Sequence, residues 1–231
     1  MYKNIIFDLG NVVLDYNPKV YLKNKLNDTK SEELVLDSIF KSKEWPMLDR
    51  GTITEEVAIK NIVSRNIESK DIIELAFENW YEMLTPLNET VDIIKELKDD
   101  GYKIYYLSNF HSKAFEIVTE KYEFFNLFEG GIVSFREQLL KPEKEIYNRL
   151  LERYGLIPEE SIFIDDVLEN VKGAGEEGIK GIQFKNINEL RKELVQAGSD
   201  AEETANKFNV VFATVSERAN QAADNLRLNY G

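Results

Sequence analysis

Five short apolar runs that do not alternate with polar residues set the strongest limit on how this chain folds. They are Ile5-Ile6-Phe7, Ile104-Tyr105-Tyr106-Leu107, Gly131-Ile132-Val133, Ile162-Phe163-Ile164 and Gly181-Ile182-Gln183-Phe184. A strand with one wet face alternates, whereas a strand covered on both faces does not, and the latter is the habit of parallel sheets sandwiched by helices. Helical spacing separates the later runs. From Glu89 to Asp99, Val91, Ile94 and Leu97 share one face, and Gly101 supplies a stop signal. Lys113 to Lys121 reads as a second helix, and Pro142 to Tyr154 as a third that opens on its proline. The alternation predicts an α/β fold, a doubly wound parallel sheet.

Residues 17–85 break this rhythm. They hold no strand pattern but three helical stretches, near 18–27, 31–43 and 54–84, the last with a break near Asn66 and a capping box of Thr52 with Glu55 at its start. Leu34, Phe40, Ile62, Phe77 and Trp80 make the segment too apolar for a disordered linker. It reads as a small helical cap inserted into a core built from 1–16 and 86–197. The tail, 198–231, is rich in Ala and Asn, begins with a Ser199–Glu202 capping box, and reads as a helix docked on its own domain or on a neighbour, with a fused segment as the alternative.

Composition narrows the chemistry. The 231 residues include no Cys and one His, His111, so thiolate nucleophiles, cysteine-bound zinc and His-pair metal sites are excluded. Carboxylates, hydroxyls, Lys and a hard cation held by oxygen remain. A net charge of −13 disfavours nucleic acid and anionic membrane as partners. No stretch approaches a membrane span and no secretory signal is visible, so a cytoplasmic setting is expected. Monomer and homodimer both stay open.

The polar residues at the end of each apolar run carry the functional signal. Asp8 comes directly after the first, Ser108 after the second and the Asp165–Asp166 pair after the fourth, while Lys141 lies in the loop beyond the third. In an open parallel sheet the carboxyl ends of the strands share one edge, where ligands bind at the switch point. Each position also has a plainer reading. Asp8 could be a helix N-cap, Ser108-Asn109 a turn, and Lys141-Pro142 surface. Adjacent carboxylates at a buried strand end are harder to dismiss, because they repel unless a cation or proton intervenes.

Together these residues resemble the four ordered motifs of the haloacid dehalogenase-like hydrolases. The first is Ile5-Ile6-Phe7-Asp8-Leu9-Gly10-Asn11-Val12, the second Leu107-Ser108-Asn109, and the third Lys141-Pro142. The fourth runs Ile164-Asp165-Asp166-Val167-Leu168-Glu169-Asn170-Val171-Lys172-Gly173-Ala174. The resemblance spans about residues 2–195, includes the cap segment Trp45-Pro46-Met47-Leu48-Asp49-Arg50-Gly51, and is nearest to the sugar-phosphatase branch whose first motif reads FDLGNV.

The resemblance implies a phosphatase for a small phosphorylated metabolite, a sugar phosphate above all. Asp8 would be the nucleophile and form an aspartyl-phosphate. Mg²⁺ would be held by Asp8, the Gly10 carbonyl and Asp166, with Asp165 as a further or water-mediated partner. Ser108 would bond a phosphoryl oxygen, Lys141 would neutralise charge, and Asn11 and Asn109 would touch substrate.

One departure stands out. The family usually places a second Asp, the proton donor and acceptor, where this chain has Gly10. Such a group is worth about 100- to 10,000-fold in rate. Three readings are open: a leaving group that needs little protonation, such as the anomeric oxygen of a sugar 1-phosphate; a slow phosphatase in which water or a cap residue substitutes; or a binding relative with negligible turnover. Dehalogenation is the other enzyme class, and the Asp165–Asp166 pair argues against it. His111 could supply the missing proton, but reads first as a solvent-exposed residue at a helix start. Asp49 and Arg50 either reach the site or form a salt-bridged helix end.

Overall fold

The computed structural model describes residues 2–199 except Asn27. The tail beyond Ser199, with the expected capping box and docked helix, lies outside the described residues.

All five apolar runs are strands: β1 (Asn4–Phe7), β2 (Lys103–Ser108), β3 (Gly130–Val133), β4 (Ser161–Asp165) and β5 (Lys180–Gln183). They form one parallel sheet in the order β3-β2-β1-β4-β5. The missing alternation has its expected cause. Ile5, Phe7, Ile162 and Ile164 pack on one face, and Ile6, Tyr105, Leu107 and Phe163 on the other. Fully burying an Ile or Phe contributes about 1.5–3 kcal/mol, so wetting either face of β1 would remove most of its stabilisation.

The helices divide between the faces. α6 (Asn88–Asp99), α7 (Ser112–Lys121) and α11 (Ile187–Ser199) cover the first through Val91, Ile94, Phe115, Val118 and Leu194. α9 (Lys144–Tyr154) and α10 (Leu168–Glu176) cover the second through Ile146, Tyr147, Leu150 and Ala174. α9 begins two residues later than the sequence suggests. Pro142 stands before it in a cis peptide with Lys141, and Glu143 is its cap position.

Between β1 and α6 the chain is helical, with α1 (Pro18–Leu26), α2 (Thr29–Val35), α3 (Glu44–Asp49), α4 (Glu55–Arg65) and α5 (Lys70–Phe77). α2 runs into a π turn, Leu36–Phe40, so the stretch expected over 31–43 starts earlier and ends sooner. The break at Asn66 is present. The cap of α4 is Thr54, whose side chain accepts from the Val57 amide at 3.4 Å, not Thr52, whose hydroxyl donates to the Met47 carbonyl. α3 has no counterpart in the sequence reading, because Pro46 interrupts any helical pattern there. It is held by Glu44, whose side chain is 1% exposed and takes two bonds from Arg65 at 2.8 and 2.7 Å.

Three contacts tie α3 to the sheet domain. Arg50 forms a two-pronged ion pair with Glu143 and also donates to the Gln138 carbonyl at 3.0 Å. The Ser134 hydroxyl, at the start of the short α8 (Ser134–Glu137), donates to the Asp49 carbonyl. Gly51 adopts φ +71°, and a Cβ there would lie 2.5 Å from the Phe135 carbonyl oxygen. The left-handed conformation alone disfavours a side chain by about 1–2 kcal/mol, and the opposing atom is backbone that cannot swing away. Gly51→Ala should therefore lower the unfolding free energy by at least about 2 kcal/mol. An unchanged urea midpoint would show that this junction tolerates separation.

Candidate active site

The chain ends of β1, β2 and β4 bring Asp8, Ser108 and Asp165 to one edge, and the loop after α8 brings Lys141 against them. Asp8 extends the ladder by donating its amide to the Ile164 carbonyl at 2.8 Å. Lys141, its side chain 1% exposed, sits between two carboxylates: Nζ is 2.8 Å from Asp8 Oδ1 and 2.5 Å from Asp165 Oδ2. Burial pulls the Lys141 pKa down, but the two carboxylates outweigh it and hold the ammonium above its ordinary value. Burial raises the Asp8 carboxyl to about 7 against the lowering pull of Lys141 and of the Ser108 hydroxyl, with Asp165 adding to the rise.

Asp165 is fully buried and multiply bonded. Beside Lys141 it accepts from the Val167 amide at 2.8 Å and from Asn170 Nδ2 at 3.0 and 3.1 Å. Asp166 lies nearer the cavity. Burial raises its pKa, while a 3.1 Å bond from Asn11 Nδ2 to Oδ2 opposes the rise. Asn11, at φ 55°, also accepts from the Tyr16 amide at 3.2 Å, so its side chain braces the turn after β1.

Carboxylate oxygens of Asp8, Asp165 and Asp166 fall within 4.8 Å of one another. Three carboxylates against one ammonium leave a local negative excess, and the donors are all oxygen. That set fits Mg²⁺, which takes few carboxylates and keeps several waters. The bonds already filling Asp165 make Asp8 and Asp166 the better direct ligands, with the Gly10 carbonyl beside them.

Asn109 has a part beyond the one the sequence suggests. Its side chain clamps Lys141 from both sides, with Oδ1 accepting from the Lys141 amide at 2.9 Å and Nδ2 donating to its carbonyl at 3.2 Å. It lines the cavity and also positions Lys141. Asn170, inside the fourth motif, has a role that the sequence does not reveal, because nothing local marks which asparagine turns inward.

A cavity of about 230 Å³ opens over these groups. The helical segment roofs it with Trp45, Asp49, Trp80 and Leu84, beside Tyr16 from the loop after β1. Of the Asp49–Arg50 pair, Arg50 is the salt-bridged one and Asp49 reaches the cavity. His111 is a correction: it is 6% exposed rather than solvated, its ring 4.3 Å from Trp45 and 5.0 Å from Trp80 between centroids. A single helix-start residue gives no sign that a distant segment will cover it. Burial lowers the His111 pKa to about 3, against a hydrogen bond to the Trp45 backbone. The Asp49 side chain is 19% exposed and lines the cavity. Burial, then the charge of Asp8, push its carboxyl up to about 7 against Lys141.

A family model for haloacid dehalogenase-like hydrolases matches residues 2–178. The chain belongs to that family. The sesquiterpene phosphatase astK of Aspergillus oryzae is 29% identical over 195 residues, which are 84% of this chain and 96% of that protein. The D-ribitol-5-phosphate phosphatase of Bacteroides thetaiotaomicron is 24% identical over 209 residues, 84% of this chain and 97% of its own. A crystal structure of a HAD family enzyme from Bacteroides thetaiotaomicron, in complex with magnesium and inorganic phosphate, is 27% identical. It covers 80% of this chain and 95% of its own, with a TM-score of 0.61. Among the described residues no helix is long and apolar enough to cross a membrane.

The Asp49 carboxyl gives this hydrolase a pH signature. A carboxyl raised from 3.8 to about 7 binds its proton more tightly folded than unfolded. Its contribution is fully favourable below 3.8 and is lost as pH rises to about 7, at up to about 1.4 kcal/mol per pH unit. Without added divalent cation, Asp49→Asn should melt above wild type at pH 8 and level with it at pH 4. A uniform drop in Tm at every pH would contradict that account.

Proposed function

We propose that this chain is a Mg²⁺-dependent phosphatase that hydrolyses a small phosphorylated metabolite through an aspartyl-phosphate on Asp8. The observation that carries the reading is the placement of Asp8 between the Lys141 ammonium and the Asp166 carboxylate at the floor of a roofed cavity. The named phosphatases among its relatives support it.

Asp8 Oδ would attack phosphorus as the bond to the leaving oxygen breaks, and water would then release phosphate from Asp8. Bound at Asp8, Asp166 and the Gly10 carbonyl, Mg²⁺ supplies neutralisation of the phosphoryl charge. Lys141 offsets charge shared between the nucleophile and the transferred group, and Ser108 donates to a phosphoryl oxygen. Positioning and electrostatics of this kind account for most phosphoryl-transfer catalysis. They also let an acidic protein take an anionic substrate. The helical segment acts as a cap that holds the organic part of the substrate and limits water. A carbon-attacking dehalogenase has no use for three carboxylates gathered to hold a cation, which favours phosphoryl transfer.

A sugar phosphate is the proposed substrate class, since the apolar C–H face of a sugar ring stacks on tryptophan and Trp45 offers such a wall. The same wall supports a second reading. Tyr16, Trp45, Trp80, Leu84 and Phe110 present far more apolar surface than hydrogen-bonding groups, which suits an apolar alcohol phosphate, and the astK likeness points the same way.

Phosphate release across a panel of sugar phosphates and a sesquiterpenoid monophosphate, with Mg²⁺, tests the reading. Asp8→Asn should lower kcat by at least about 1,000-fold, and EDTA should abolish turnover. Equal turnover by Asp8→Asn would remove the nucleophile, and turnover surviving EDTA would return carbon attack to consideration.

A further inference from the structure

Gly10 leaves a gap in the chemistry as well as in the side chains. Nothing lies within 4 Å of where its Cβ would be, so the space beside the nucleophile is open to a group from elsewhere. Asp49 is the carboxyl that the roof offers. It ends α3, its backbone carbonyl is pinned by Ser134, and its side chain shares the cavity with Asp8 and Gly10.

The partner of Asp49 fixes where a proton sits. Asp49 Oδ1 lies 3.3 Å from His111 Nε2. That nitrogen is the buried side-chain polar atom without a hydrogen-bond partner among the described residues. With Nε2 unpartnered, the ring donation to the Trp45 backbone that raises the His111 pKa is assigned to Nδ1–H. A neutral imidazole has one N–H, so Nε2 presents a bare lone pair. An ionised Asp49 would set acceptor against acceptor at 3.3 Å. Protonating Asp49 removes that repulsion and gives the carboxyl an O–H that Nε2 can accept.

We propose that Asp49, seated against His111 Nε2, gives a proton to the leaving oxygen and takes one from the attacking water, the work for which Gly10 has no side chain. The proposal rests on the phosphatase reading above. In the first step Asp8 Oδ bonds phosphorus, the bond from phosphorus to the leaving oxygen breaks, and that oxygen leaves with the Asp49 proton. In the second step the Asp49 carboxylate takes a proton from water as its oxygen bonds phosphorus and the bond to Asp8 breaks. Asp49 ends protonated, and His111 Nε2 orients the carboxyl between turnovers. Tyr16, Asp8, Lys141 and His111 are the titratable groups facing it. A carboxyl raised to about 7 carries a proton in a useful fraction of molecules at neutral pH.

The test compares an alkyl phosphate with 4-nitrophenyl phosphate, whose phenolate leaves without a proton. Asp49→Asn should lower kcat/KM for the alkyl phosphate by about 100-fold or more and leave that for 4-nitrophenyl phosphate within about threefold. With the latter it should show a burst of nitrophenol, because the second step has lost its base. Gly10→Asp in the Asp49→Asn background should recover at least about tenfold on the alkyl phosphate, since the site has room for the side chain. Should Asp49→Asn fail to fold, His111→Leu serves, with the same selective loss expected. Equal losses on both substrates with no burst and no rescue would overturn the proposal, as would an unchanged alkyl rate. Full activity in Asp8→Asn, measured alongside, would instead remove the phosphatase reading itself.

Discussion

The structure turns on one buried ammonium. Lys141 is almost wholly removed from water, and a lone cation there would be very unfavourable. Two carboxylates make it tenable, and each is placed by a different strand. Asp8 comes from the end of β1 and Asp165 from the end of β4, neighbours in the sheet. The parallel register therefore sets the charge geometry: a slip of one residue between β1 and β4 would turn one carboxylate to the face opposite the other. Asn109 then holds the Lys141 backbone, while Asn170 and the Val167 amide saturate Asp165. With Asp165 so fully bonded, Asp8 is the carboxylate left to serve as the proposed nucleophile.

The helical segment completes the site rather than merely covering it. Its packing is continuous with one face of the sheet, and α3 is anchored through Arg50, Asp49 and Gly51 within three successive residues. Such dense anchoring places Trp45 and Asp49 at fixed positions above the nucleophile. A looser tether would leave the roof free to slide, and side chains a few ångströms out of place contribute little to a phosphoryl transfer.

Much of the sheet domain was legible in the sequence, because strands buried on both faces and polar residues at their ends leave local marks. The roof was less so. α3 hides behind Pro46, Thr54 rather than Thr52 caps α4 because the choice depends on the chain's approach, and His111 is buried by residues more than thirty positions away. Asn109 illustrates the same limit within the site. Its type and place were visible, but its bonds to Lys141 join residues 32 apart and depend on how two loops meet. Local patterns report what a residue can do, and tertiary packing decides which of those uses is realised.

The aromatic roof links two properties that are usually discussed apart. Trp45 and Trp80 exclude water from His111, and that exclusion, more than any neighbouring charge, keeps the imidazole neutral. A neutral imidazole with its Nδ1–H committed to a carbonyl can only accept at Nε2, so it favours a protonated Asp49. The same rings line the cavity and, in the proposed reaction, would meet the organic part of a bound substrate. A substitution that opens the wall to admit a more polar substrate would also hydrate His111 and weaken its hold on the Asp49 proton. In the proposed reaction substrate choice and proton placement are therefore not independent: the apolar surface that would select the leaving group also tunes the acid that would release it.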